Sequence, residues 1–531
     1  MKEQIKALSK ETLIYGASTV IGRFLNFLLV PFYVNVLDPT MYGVSASMYT
    51  YMSFLGIIYT LGLEAAYFRY ASRGEQETRS DREERELFSG PFLFVVVFGG
   101  LLSALIIIFA PQLAWPVFHD PKRNITPLLP GLILILRLSG IIILLDSLNV
   151  IPFAALRIDR RAKWFGVIRL TGIVMTLILN FILILGLHLG VEGIFIANLI
   201  ASVTMLVMLV PTVKRRFEFS ISKPVMRKLM LFGLTNVPAY LSSMMVQVID
   251  RPIVQAFLGL AILGVYQANY RMGIIMMVFV SLFEYAWRPF FLREARTDDA
   301  RARQIFSRVF TYFMVVACVG FLLLAIFLPE FLTVRLPLIH HAILRKEYSI
   351  GINIIPVVLG AYIFQGMYTN FIAGIYIQEH NKVLPFVTGL GAAVNIVTNI
   401  LLIPVMGIMG AALATLFAYV AMAASLYWQA QKVYFIKYDW RRVGIVSLYV
   451  LIAFLIDYFW VGPNLHGSEK VLVKLALFAL VIALLFITGF FSRGERAALK
   501  SMLQAPQSLL LAMTRGNVPE PLEETSERRQ G

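Results

Sequence analysis

Ala393-Val394-Asn395-Ile396-Val397-Thr398-Asn399-Ile400-Leu401-Leu402-Ile403-Pro404-Val405-Met406-Gly407-Ile408-Met409-Gly410-Ala411-Ala412-Leu413-Ala414-Thr415 is the stretch on which the reading of this chain turns. Its first half is almost wholly apolar, yet carries two asparagines one helical turn apart. Its second half opens on small residues, which let another helix come close. The pattern predicts two membrane helices joined by a tight, proline-containing turn.

The rest of the chain has the same character. Apolar residues make up 59% and charged residues 15%, against roughly 45–50% and about 25% in soluble domains. The apolar residues fall in blocks of about 20 or more, the length that crosses a bilayer core. Fourteen blocks can be placed, near 11–37, 43–71, 87–114, 128–155, 165–187, 192–213, 229–257, 262–287, 308–328, 351–377, 384–403, 407–430, 442–461 and 471–491. The expected fold is an all-α polytopic membrane protein with 14 transmembrane helices. The first block is too long for a signal-peptide core and lacks a small-residue cleavage site, so it is expected to stay. Cys318 is the single cysteine, which excludes an intrachain disulfide and reads as a small apolar residue inside a helix.

The net charge of +16 is not a nucleic-acid signature, because of where it lies. With the N-terminus inside, 36 Lys and Arg fall on inner segments, 7 on outer segments and 4 within helices. That bias places both termini in the cytoplasm. The surplus is topology, with some attraction to anionic inner-leaflet lipid.

The chain also repeats itself. Pro31, Leu37, Gly43, Val44 and Tyr49 match Pro252, Leu258, Gly264, Val265 and Tyr270 at a spacing of 221. Asn180-Phe181-Ile182-Leu183-Ile184 matches Asn399-Ile400-Leu401-Leu402-Ile403 at a spacing of 219. The expected organisation is a six-helix lobe over 1–213, a cytoplasmic linker over 214–228, a second six-helix lobe over 229–430, helices 13 and 14 over 431–491, and a cytoplasmic tail over 492–531. Six spans is an even number, so the lobes enter the membrane alike and relate by a pseudo-twofold along the membrane normal. Such transporters hold substrate between the halves near the midplane. Pro31, Pro152, Pro238, Pro252 and Pro356 read as internal prolines that kink their helices.

An ionisable residue at the bilayer centre costs roughly 2.5–3.5 kcal/mol on insertion scales and so faces a partner or a water-filled cavity. The spans carry Arg23, Arg137, Arg251 and Arg271, with Glu64, Asp146, Asp250 and Glu284. Two readings stay open for most of them: neutralising pairs, such as Arg137–Asp146 or Asp250–Arg271, or cations lining a cavity. Arg23 has no acid within two turns and reads as a cavity cation. An arginine fork donates two parallel hydrogen bonds to phosphate, so fixed arginines imply an anionic substrate. Tyr49, Tyr51, Tyr59, Tyr67 and Tyr70 crowd the second span, either as packing or as platforms for sugar rings. There is no G-x-x-x-x-G-K-[ST], H-E-x-x-H or D-x-D motif. ATP hydrolysis and metal-dependent catalysis are not expected, and the drive must come from an ion gradient or the membrane potential.

Thr12-Leu13-Ile14-Tyr15-Gly16 through Arg23, Pro31, Leu37 and Tyr42-Gly43, then Asp250-Arg251, Gly374-Ile375-Tyr376, Lys382 and the 393–415 run resemble the polysaccharide (Wzx-like) flippases of the multidrug/oligosaccharidyl-lipid/polysaccharide exporter superfamily. The resemblance implies a non-enzymatic flippase. It would move an undecaprenyl-diphosphate-linked oligosaccharide from the inner to the outer leaflet of a bacterial cytoplasmic membrane, by alternating access, for O-antigen, capsule or exopolysaccharide assembly. Its expected partners are that glycolipid and membrane lipid, with room for a glycan polymerase or export partner. The expected substrate residues are Arg23, Arg271, Arg137, Arg251, Glu64 and Asp250. Three alternatives stand beside it. A lipid II flippase has the same helix count and a lipid-tail groove made by its last two helices, but a Gly/Arg-rich first helix that is missing here. A cation or drug antiporter favours carboxylates in the cavity, against Arg23 and Arg271. A membrane glycan polymerase needs more outer mass than the segment near 329–350. Resemblance to the lipid II branch also implies a sodium site at Asn395, Asn399 and Thr415 with Asn236. Na⁺ is the expected coupling ion, H⁺ through Glu64 or Asp146 the alternative, and no other cofactor is expected.

Overall fold

The computed structural model describes residues 22, 29–72, 80–219, 222–295, 299–334, 342–488, 490–491 and 494–496. Among them the regular elements are all helices. A bilayer offers the backbone no hydrogen-bonding partners, so apolar blocks of this length must close their bonds within themselves. The helices are α1 (Pro39–Thr60), α2 (Leu63–Ser72), α3 (Asp81–Ile108), α4 (Thr126–Ile158), α5 (Ala162–Gly186) and α6 (Gly190–Arg216), then α7 (Lys223–Val248), α8 (Asp250–Leu258), α9 (Leu260–Met272) and α10 (Ile274–Glu294). They continue as α11 (Asp299–Thr333), α12 (Ile352–Ile377), α13 (Asn381–Met406), α14 (Ile408–Val433), α15 (Trp440–Asn464) and α16 (Gly467–Ile487). Twelve are long and apolar enough to cross a membrane, or thirteen if α1 and α2, bent by 46°, count as one span. The expected first span, 11–37, lies mostly outside the described residues.

The chain divides into two compact units, Met1–Asp439 and Trp440–Gly531. The second contains α15 and α16, pinned by a buried Lys474–Asp457 pair at 3.5 Å and by Arg442–Glu495 at 3.1 Å. In the first unit α6 packs against α4 and α5, and α14 packs against α12 and α13 in the same way. The repeat spacing equates these two trios.

Two glycine crossings fix how the halves of the first unit meet. On α1, a Cβ at Gly43 would run into the Leu260 carbonyl of α9, and a Cβ at Gly264 would run into the Pro39 carbonyl. Leu260 follows Pro39, and Gly264 follows Gly43, by the repeat spacing of 221. The contact is therefore reciprocal, as across a local twofold. At the other end of α1 the chain bends at Leu61 and Gly62, both left-handed with φ 43° and 72°. There Gly62 meets Gly233 of α7, where a Cβ would lie 2.5 Å from the Leu61 carbonyl oxygen.

Several sequence expectations shift. The turn between α13 and α14 is made by Gly407, at φ 59° and ψ −136°, and not by Pro404, which sits inside the last turn of α13. A residue-wide turn needs the conformation only glycine adopts freely, whereas a proline near a helix end loses only one hydrogen bond. The small residues beyond it do allow close approach, since a Cβ at Gly410 would fall 2.5 Å from the Leu402 carbonyl. Pro356 is the second residue of the α-helical part of α12, directly after its opening 3₁₀ turn, rather than inside the helix. Pro252 stands at the third residue of α8, just after the break that separates it from α7.

Candidate functional site

One end of the first unit gathers cations. Asp159 at the end of α4 holds both Arg215 and Arg216, and Arg157 pairs with Glu64 of α2. From this basic end, two adjoining chambers run between the glycine crossings. The basic-end chamber holds about 560 Å³ and is lined by Met52, Glu64, Asp146, Tyr240 and Gln247. The far chamber holds about 520 Å³ and is lined by Tyr33, Tyr42, Thr50, Arg251, Gln267 and Arg271. Tyr49, Ser53, Asp146 and Asn198 line both. At that junction Asn198 Nδ2 donates to the Tyr49 hydroxyl, and the Tyr49 ring stacks on Phe195 at 5.4 Å. Ser202 Oγ donates to Asp146 Oδ1 at 2.5 Å.

The cations differ in kind. Arg271, half-buried on α9, has no ion pair or hydrogen bond among the described residues, so its donors are open to the far chamber. Arg251 is buried and engaged. Its Nη1 donates to Asp250 Oδ1 at 2.6 Å and to the Gln247 carbonyl, and its Nε donates to Gln267 Oε1 at 3.2 Å. The guanidinium lies over the Tyr270 ring at 4.5 Å, and Asp250 also accepts from the Tyr266 hydroxyl. Arg251 thus presents one edge to the chamber from a fixed frame, with Asp250 behind it.

The other expected residues lie as follows. Glu64 lines the basic-end chamber while bound to Arg157. Arg137 is exposed on the outer face of α4, alongside exposed Leu134 and Ile141, and lines neither chamber. Glu284 pairs with Arg288 at 2.8 Å on its own helix. Arg23 lies outside the described residues. Asn395 and Asn399 are buried, and Asn399 Nδ2 donates to both the carbonyl and Oδ1 of Asn395 at 2.8 Å. Asn395 Nδ2 and Asn399 Oδ1 are left without partners. Thr415 bonds its own helix, at the Ala411 carbonyl, at 3.3 Å. Asn236 does the same at Phe232. Gly391 of α13 packs on Val246 of α7. Among the described residues no group of three His, Cys, Asp or Glu is placed to hold a metal ion.

Sequence reasoning missed Arg157 and Arg169 as cavity-lining residues, because both counted as cations of an inner loop. The signal was Arg169 itself, which falls inside the apolar block 165–187.

Repeat-related helix trios around a central cavity that carries arginines and carboxylates define a polytopic helical membrane protein. The chain belongs to the polysaccharide biosynthesis protein family, which matches residues 35–337. An uncharacterized membrane protein of Methanocaldococcus jannaschii is 23% identical over 472 residues, covering 85% of this chain and 89% of that protein. Among solved structures, the lipid II flippase MurJ in an inward closed conformation superposes with a TM-score of 0.70 at 16% identity, over 90% of this chain and 99% of that one. An inward-facing multidrug resistance MATE family transporter superposes with a TM-score of 0.59 at 13% identity, over 80% and 96%. At these identities the likeness is one of fold.

Proposed function

We propose that this chain flips a polyprenyl-diphosphate-linked glycan from the cytoplasmic to the outer leaflet of the cytoplasmic membrane, for surface polysaccharide assembly. The observation that carries the reading is Arg271, a guanidinium without an ion pair or hydrogen bond among the described residues, facing a cavity between two glycine crossings. A fixed cation lining a cavity within the membrane spans selects for an anion, and the fork suits a diphosphate. Tyr33, Tyr42 and Tyr49 beside it offer rings and hydroxyls to the first sugars. In this reading the lobes 1–213 and 229–430 rock about the cavity, α1 parting from α9 at one end or from α7 at the other, and the basic end faces the cytoplasm with both termini. The fold likeness to a lipid II flippase favours a second cargo of the same chemistry, a lipid-linked peptidoglycan precursor. Translocation of each lipid by the purified protein in proteoliposomes separates the two.

For the drive, the geometry favours H⁺ over Na⁺. Hard cations take oxygen ligands, preferably with carboxylates. The Asn395–Asn399 pair offers one unpartnered oxygen and no carboxylate, and Thr415 and Asn236 each bond their own helix. Asp146, by contrast, stands at the junction of the two chambers, where a carboxylate can exchange a proton with either. A pH gradient and a Na⁺ gradient, imposed separately on the same proteoliposomes, decide between them.

A further inference from the structure

A third chamber, of about 430 Å³, opens off the basic end between α2, α4, α5 and α6. It shares Glu64, Asp146 and Val150 with the basic-end chamber and adds Arg157 and Arg169. The Arg169 guanidinium lies over the Phe153 ring at 4.9 Å and the Phe165 ring at 5.7 Å. The two rings pack edge to face at 5.2 Å. Among the described residues Arg169 has no ion pair and no hydrogen bond. An arginine lying over aromatic faces keeps its in-plane donors free. Arg157 has a carboxylate partner, Glu64, and lies over Phe68 at 5.4 Å. Arg169 is seven residues into α5, about 10 Å from its start.

We propose that Arg157 and Arg169 form a second anion site, which receives a diphosphate at the basic end before it passes to Arg271. Binding at this site stands on the local geometry alone, and only the onward passage to Arg271 rests on the flippase reading. Glu64 is the device that makes the site releasable. In the empty protein it neutralises Arg157, and an arriving diphosphate must displace it. Glu64 lines the passage to the central cavity, so its return to Arg157 sends the anion onward. A permanent pair of free arginines would hold the diphosphate instead.

The test uses the full chain in phosphatidylcholine nanodiscs and farnesyl diphosphate as the probe, with inorganic pyrophosphate and phosphatidylglycerol as competitors. Wild type is expected to show two binding events and Arg169→Gln one, with the lost event at least tenfold weaker. Arg169→Lys should fall between, keeping the charge but not the fork. Glu64→Gln should tighten the same event several-fold, an outcome that loss of a merely structural ion pair would not give. Unchanged binding in Arg169→Gln, or weakened binding in Glu64→Gln, overturns the proposal. Displacement of the probe by phosphatidylglycerol at equal concentration also overturns it, since the site would then hold any lipid phosphate. Should Arg271→Gln leave flipping intact while the Arg169-dependent event persists, the central reading fails and this one stands.

Discussion

Gly43→Ala tests the far-side crossing. The added Cβ would lie 2.8 Å from the Leu260 carbonyl carbon and 3.2 Å from the Gly264 nitrogen. Comfortable contact between such atoms is about 3.5–4.0 Å, so at the carbonyl carbon the shortfall is about 0.7–1.2 Å. Every obstructing atom is backbone, and no rotamer change can relieve it, so α1 and α9 have to separate. Overpacking of this kind costs about 1–3 kcal/mol, charged only to the state in which the crossing is closed. The gain in helix propensity from Gly to Ala applies to both states and cancels. The closed state should therefore lose about 5- to 150-fold in relative population. The assay replaces buried Cys318 with serine and places a cysteine at Ser45, which is buried and lines the far chamber. A membrane-impermeant maleimide then reports opening from the far side. Gly43→Ala should accelerate labelling by that factor. Gly233→Ala, which obstructs the opposite crossing, should slow it. Equal labelling rates in all three proteins would refute the idea that these glycines are the gates.

Arg251→Ala should cost about 3–5 kcal/mol of stability, because it strands Asp250 as a buried, unpaired carboxylate. Thermal unfolding in detergent reads this, and Arg137→Ala at its exposed position should leave the unfolding temperature unchanged. Gly407→Ala should cost about 1–3 kcal/mol, since that backbone conformation is nearly restricted to glycine, while Pro404→Ala should be close to neutral; the reverse order would restore the proline-made turn. Asn399→Ala should leave transport driven by a pH gradient unaltered, whereas a loss under that gradient would return the α13 asparagines to the coupling mechanism.

The spans were legible because apolar block length is a property of the chain alone, and the bilayer leaves such blocks only one backbone solution. The repeat was legible too: Gly43 and Gly264, matched by spacing, meet across the crossing they share. What the sequence concealed depends on helix rotation and on neighbours far along the chain. Arg137 and Arg251 both lie within spans and leave the same two readings open, yet one faces outward beside Leu134 and the other is locked behind Asp250, Gln267 and Tyr270. Arg169 looked like a flanking cation until Phe153, from the preceding helix, supplied the surface it rests on. The bend at Leu61–Gly62 contains no proline, and the backbone it packs against, at Gly233, lies over 170 residues away. The asparagine pair was visible, but that Thr415 and Asn236 each bond back to their own helix was not.

The most direct measurement of the central claim is the translocation of a fluorescent polyprenyl-diphosphate-linked oligosaccharide in proteoliposomes, for wild type, Arg271→Gln and Arg271→Lys, with fluorescent phosphatidylcholine as a control lipid. The diphosphate lipid should cross with wild type, cross partly with Arg271→Lys and fail to cross with Arg271→Gln, while phosphatidylcholine stays in its leaflet throughout. Wild-type rates in Arg271→Gln, or equal movement of phosphatidylcholine, would contradict the claim that a guanidinium in the cavity selects a diphosphate cargo.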